Sequence, residues 1–155
     1  MTRSRPSLRS LPREAYHTVA ALGVTVLVEI GLRTLSLPRL AALVGAPIAW
    51  EDPGEQAGGE TATSRVILSR DARLRVRAAR RVLRRWPFGD TCLRQALVIG
   101  QRLRRLHPQL HVGVAKLDGE VRAHAWLVIE GSILDTFHAA SSYLTLTSIP
   151  TGLRR

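Results

Sequence analysis

The chain has 155 residues, a hydrophobic fraction of 45% and a formal net charge of +11. That length suits one domain with one core, and that hydrophobic fraction excludes a chain disordered by composition. A single cysteine excludes an internal disulfide, and with it a disulfide-stapled secreted scaffold.

Nearly all the positive charge is arginine, since Lys116 is the only lysine. Such a balance predicts salt-sensitive attraction to polyanions. It does not specify a nucleic-acid site, because solvated helix faces carry the same charge without a partner.

Residues 1–13 are basic, contain Pro6 and Pro12, and read as a loose tail. They are followed by Glu14 and not by an apolar stretch with a small-residue cleavage site, so no signal peptide is expected. The apolar run 15–28 ends at Glu29 and is shorter than the ~20 residues a membrane span needs. The chain is therefore expected to be cytoplasmic, with no transmembrane segment.

Residues 14–63 form an N-terminal helical region and a loop. Two helices are expected, over 16–35 and 38–44, separated at Ser36-Leu37-Pro38, with Pro38 opening the second. Glu29 and Arg33, four residues apart, make one polar seam on a first helix that is otherwise apolar and so expected to be mostly buried. An exposed apolar strip that docks a partner is the competing arrangement. Residues 45–63 are rich in Gly and Pro and read as a loop, either a lid or a linker.

Residues 64–155 read as the functional core. The stretch 64–86 is an arginine-rich helix with Leu68, Ala72, Val76, Ala79, Leu83 and Trp86 on one stripe. It has no aromatic interleaving and no nucleic-acid motif. A second helix is expected over 90–106, capped by Asp90 or Thr91, with Cys92 in its first turn. The period then changes from helical to alternating. Strands are expected over 110–117, 121–130 and 133–137, with a short one within 143–149, and turns at Asp118-Gly119 and Glu130-Gly131-Ser132. Helices followed by an antiparallel sheet make an α+β fold.

Two roles are open for Cys92. A lone cysteine often packs as a small hydrophobe. At a helix start, however, unpaired backbone N–H groups and the positive end of the dipole favour a thiolate. Downstream lie His124, in Ala123-His124-Ala125-Trp126, and Asp135. A turn centred on Glu130-Gly131 sets Trp126 opposite Asp135, which makes His124 and Asp135 diagonal neighbours about 7–8 Å apart in the backbone. A one-residue slip would turn Asp135 to the other face.

In the assembled form Cys92 is the nucleophile, His124 the general base and acid, and Asp135 the acid that orients the imidazole. His17, His107, His111 and His138 are competing histidines with weaker placement. One cysteine and scattered histidines give no metal-ligand spacing, and no glycine-rich phosphate loop is present, so neither metal nor cofactor is expected.

The Cys92-Leu93 helix start, the Val112-Gly113-Val114 strand, Ala123-His124-Ala125-Trp126 and the strand with Asp135 together resemble one family. It is the transglutaminase-like cysteine peptidases of lasso-peptide biosynthesis, in their stand-alone form, the C-terminal half of a split B protein. The resemblance covers residues 86–135 well and the N-terminal helices loosely.

It implies a papain- or transglutaminase-like fold and a Cys92–His124–Asp135 triad. It implies removal of the leader from a ribosomally made precursor peptide. The implied partners are that precursor, a leader-recognition protein and a macrolactam synthetase. Two rival readings are an arginine-rich nucleic-acid or membrane-surface module with a structural cysteine, and a transglutaminase-like enzyme of another pathway.

Overall fold

The computed structural model describes residues 11–49, 66–117, 120–135 and 144–145. Four α-helices precede a mainly antiparallel sheet, so the α+β expectation holds. The loop over 50–63, His138 and the turn at Asp118-Gly119 lie outside the described residues.

Helix α1 spans Leu11–Thr34. It begins five residues before the expected start, because Pro12 falls in the first turn, where a missing N–H breaks no helical bond. Leu11, Pro12 and Arg13 are thus helix and not tail. Helix α2 spans Leu37–Leu43 behind an extended Ser36, with Pro38 in its first turn. Gly45, at φ 78°, ends it, and Ala46 N–H donates to Ala41 O at 2.9 Å, closing the left-handed stop that glycine makes easily. The chain then joins the sheet edge. Leu110 N–H donates to Pro47 O and Ala49 N–H to Leu110 O, both at 2.9 Å.

Helix α3 spans Arg70–Leu83, shorter than expected at its start. Ser69 caps it, its hydroxyl accepting from Ala72 N–H at 3.2 Å. A serine cap outcompetes further helix in the residues before it. Val66, expected to be helical, instead donates its N–H to Ile133 O at 3.4 Å.

Helix α4 spans Cys92–Arg102 and is followed by a 3₁₀ turn over Arg104–Leu106. His107 stops the turn at φ 47°, the left-handed position a glycine would normally take.

The sheet contains β1 (Gln109–Leu117), β2 (Glu120–Ile129), β3 (Ser132–Leu134) and two residues of β4 (Leu144–Thr145), in the order β3-β2-β1-β4. The β1–β2 register pairs Leu110 with Leu127, Val112 with Ala125 and Val114 with Ala123. These residues alternate along both strands, so they share one face of the sheet. Helix α4 packs on β1 and β2 on one side and on α1 and α3 on the other. Its residues from Gln95 to Gly100 are all buried, so it is the central helix of the molecule.

Gly100 is needed where α4 meets the sheet. A Cβ there would lie 2.7 Å from Ala46 Cβ and 3.5 Å from a Leu127 methyl. Gly100→Val should destabilise the fold by about 1–3 kcal/mol through overpacking, measured by urea unfolding.

Helix α1 departs from the expected burial. Its inner face is buried through Ala21, Val24, Thr25 and Val28. Its outer face leaves Val19 69% and Leu27 68% exposed, with Tyr16, Leu22, Val26 and Ile30 beside them. An all-apolar helix reads as buried all round by pattern, but only one of its sides finds a neighbour. Within the stretch Arg13–Thr34, an 18-residue window of mean hydropathy 1.5 also meets the length and composition of a membrane span. The apolar run is therefore longer than the sequence boundary at Glu29 suggested, because Glu29 points into the fold.

Candidate active site

Thr91 is the residue that caps α4. Its backbone is extended and its hydroxyl accepts from Arg94 N–H at 3.4 Å. Asp90, the other expected cap, accepts from Gln95 Nε2 at 2.6 Å. A carboxylate so engaged accepts and does not donate, so it is no candidate oxyanion donor. Cys92 is the first residue of α4, half-buried and packed against the core. It thus sits at the mouth of the helix, where the first N–H groups have no helical acceptor.

An ion-pair network ties this helix start to α1. Glu29 Oε2 accepts from Arg94 Nε at 2.9 Å and from Trp86 Nε1 at 3.4 Å. Glu29 Oε1 pairs with Arg33 at 3.2 Å, the seam expected from their spacing. The Arg33 guanidinium lies 4.4 Å from the Phe88 ring centre.

The Arg94 hydrogen bond holds the Glu29 carboxyl below its ordinary range, outweighing the opposite push of burial, with Trp86 and the Arg33 charge adding to it. A depressed carboxyl stabilises the fold fully above the unfolded pKa and loses that contribution as pH falls through the folded one. Glu29→Gln should therefore lose stability near neutral pH and show a shallower loss on acidification, read from Tm against pH. Nothing local in sequence links Glu29 to Arg94, which lies 65 positions away; only the packing of α1 on α4 reveals it.

His124 lies in β2, and Asp135 immediately follows β3. The pairs Leu127–Leu134, Val128–Ile133 and Ile129–Ser132 hold the register expected from the turn, in which the next position along sets Trp126 level with Asp135. Glu130 and Gly131 both have positive φ, 49° and 71°, as a two-residue type I′ hairpin requires. His124 Nε2 then stands 3.1 Å from Asp135 Oδ1, with side chains only 6% and 5% exposed. A carboxylate can only accept, so Nε2 carries the proton and Nδ1 is the basic nitrogen of the neutral ring. Asp135 was expected inside its strand; β3 ends one residue before it.

His111 and Trp126 join this pair. The Trp126 ring stacks between His111 and His124, 5.9 Å from each, with interplanar angles of 22° and 23°. His111, 7% exposed, is part of a buried aromatic row. Its place opposite Trp126 across β1 and β2 was the available signal.

Ala125, Leu127 and Ile129 belong to the core beneath α4. His124 and Trp126 alternate with them onto the other face of β2. The structure thus brings His124 and Asp135 into contact, and among the described residues no hydrogen bond joins Cys92 to this pair.

Among the described residues, His17 and His107 are placed elsewhere. His17 lies 3.4 Å from Asp71 and 3.2 Å from an Arg102 guanidinium nitrogen, although its nearest acidic residue in sequence was Glu14. Burial raises the Asp71 carboxyl, but the charge and hydrogen bond of Arg75 outweigh it and hold the group below its ordinary range.

The sequence model of the transglutaminase-like superfamily matches residues 24–150 of this chain. No curated protein and no solved structure matches it.

Proposed function

The chain belongs to the transglutaminase-like superfamily, a group of cysteine-dependent enzymes that includes peptidases, and from that premise we propose that it is a leader peptidase. Its substrate is a ribosomally made lasso precursor peptide, cleaved in the cytoplasm between leader and core. The observation that carries this reading is the buried His124–Asp135 pair, in a fold whose single cysteine opens the central helix.

The chemistry follows from those groups. Cys92 Sγ gives its proton to His124 Nδ1 and attacks the scissile carbonyl carbon. Cys92 opens α4 while His124 lies on the face of β2 away from Ala125 and Leu127, so this transfer requires a rearrangement in the substrate complex that brings the two within hydrogen-bond reach. The backbone N–H of Cys92 at the helix start helps hold the oxyanion. Imidazolium then protonates the departing core amine as the C–N bond breaks, leaving the leader as a thioester on Cys92. Water, deprotonated by His124, hydrolyses that ester and restores the thiol. Asp135 accepts from Nε2–H throughout, fixing the tautomer and favouring the charged ring.

A leader-recognition protein delivers the precursor in this scheme, and a macrolactam synthetase closes the ring on the freed amine. The test is to mix the protein with its precursor and the leader-binding partner and follow cleavage by mass spectrometry. Release of leader and core at one junction is expected. An intact precursor, with cross-linked or deamidated glutamine in its place, would contradict peptidase action and favour amide transfer.

A further inference from the structure

The surface farthest from the sheet combines two features that the chemistry above does not use. Helices α1 and α3 pack on each other and on α4, which lies between them and the sheet. They form the outer layer. The outward side of α1 presents Tyr16, Val19, Leu22, Val26, Leu27 and Ile30, all exposed. They recur at three- and four-residue steps over about 21 Å of helix.

On α3, Arg70, Arg73, Arg77, Arg81 and Arg84 follow the same spacing on the exposed side of the helix and just beyond its end. None of the five forms an ion pair among the described residues. An apolar strip this long is uncommon on a soluble monomer and marks a contact surface.

We propose that this outer layer docks on an anionic lipid surface, α1 settling into the headgroup boundary while the α3 arginines meet lipid phosphates. The proposal does not depend on the peptidase reading. Charge complementarity selects this occupant. A second copy would bring one arginine row toward another on a chain already carrying +11, and the outer faces of α1 and α3 offer no acidic group to offset them. A fluid anionic surface supplies both halves, an apolar layer for α1 and negative charge for α3.

Helix α1 lies along such a surface and does not span it. Its inner face is held by Glu29 on Arg94 and Trp86, and by His17 on Arg102. Crossing the bilayer would break all three contacts. Arg13 and Arg33, 71% and 59% exposed in their side chains, stand at its ends, where long basic side chains reach headgroups.

The experiment is co-sedimentation of the full chain with phosphatidylcholine vesicles, with and without about one-third phosphatidylglycerol, at low and high salt. Roughly tenfold tighter binding to the anionic vesicles is expected, weakening several-fold as salt rises. Val19→Glu with Leu27→Glu should abolish binding, and Arg73→Glu with Arg77→Glu should remove the anionic preference. All four positions are exposed, so Tm should be unchanged. Equal binding to neutral and anionic vesicles would overturn the proposal. So would full binding by the Val19→Glu, Leu27→Glu protein, or light scattering that shows a wild-type dimer which this variant dissolves.

Discussion

Replacing His124 by alanine should lower precursor cleavage by about 10²–10⁴-fold, the range for loss of a general acid–base group. His124 serves both half-reactions, as base toward the thiol and as acid toward the leaving amine, so no single rescue step bypasses it. Asp135→Asn should cost less, about 10–100-fold, matching the 1.5–3 kcal/mol of a hydrogen bond to a charged group. The amide can still accept from Nε2–H but does not stabilise imidazolium. Both losses should fall on kcat with little change in KM, since neither side chain is proposed to bind the leader. A His124→Ala protein with wild-type kcat and an unchanged fold would remove the imidazole from the chemistry.

Leu127→Ala should destabilise the fold by about 2–5 kcal/mol, read from the urea midpoint at constant m. Leu127 is 1% exposed, pairs with Leu110 and Leu134 across the sheet, and is the side chain Gly100 approaches on α4. Its removal opens a cavity where the helix that begins with Cys92 rests on the strand that contains His124. A stability loss under 1 kcal/mol would show that this contact collapses without a cavity and does not hold α4 in place.

The parts that follow local rules were legible in sequence. The Glu130-Gly131 turn admits positive φ at both positions, so it fixed the β2–β3 register and with it the meeting of His124 and Asp135. A cap at Asp90 or Thr91 was readable because both stand just before the apolar helical run, and the fold selects Thr91. What escaped depended on long-range packing. Glu29 was visible only as a partner for Arg33, and its bonds to Arg94 and Trp86 exist because α1 crosses the start of α4.

The α1 outer face escaped for the opposite reason. Its pattern is apolar all round, and pattern cannot say which side the fold leaves uncovered. His111 was discounted because alternation alone shows a face and not the Trp126 ring that covers it.

Cys92 itself is the claim most open to direct measurement. Turnover with the precursor and its leader-binding partner, quenched in acid and digested, should yield the Cys92 peptide with the leader attached as a thioester. The added mass should be that of the free leader less one water, and the Cys92→Ala protein should leave the precursor intact. An unmodified Cys92 peptide during turnover, with cleavage persisting in Cys92→Ala, would contradict the account.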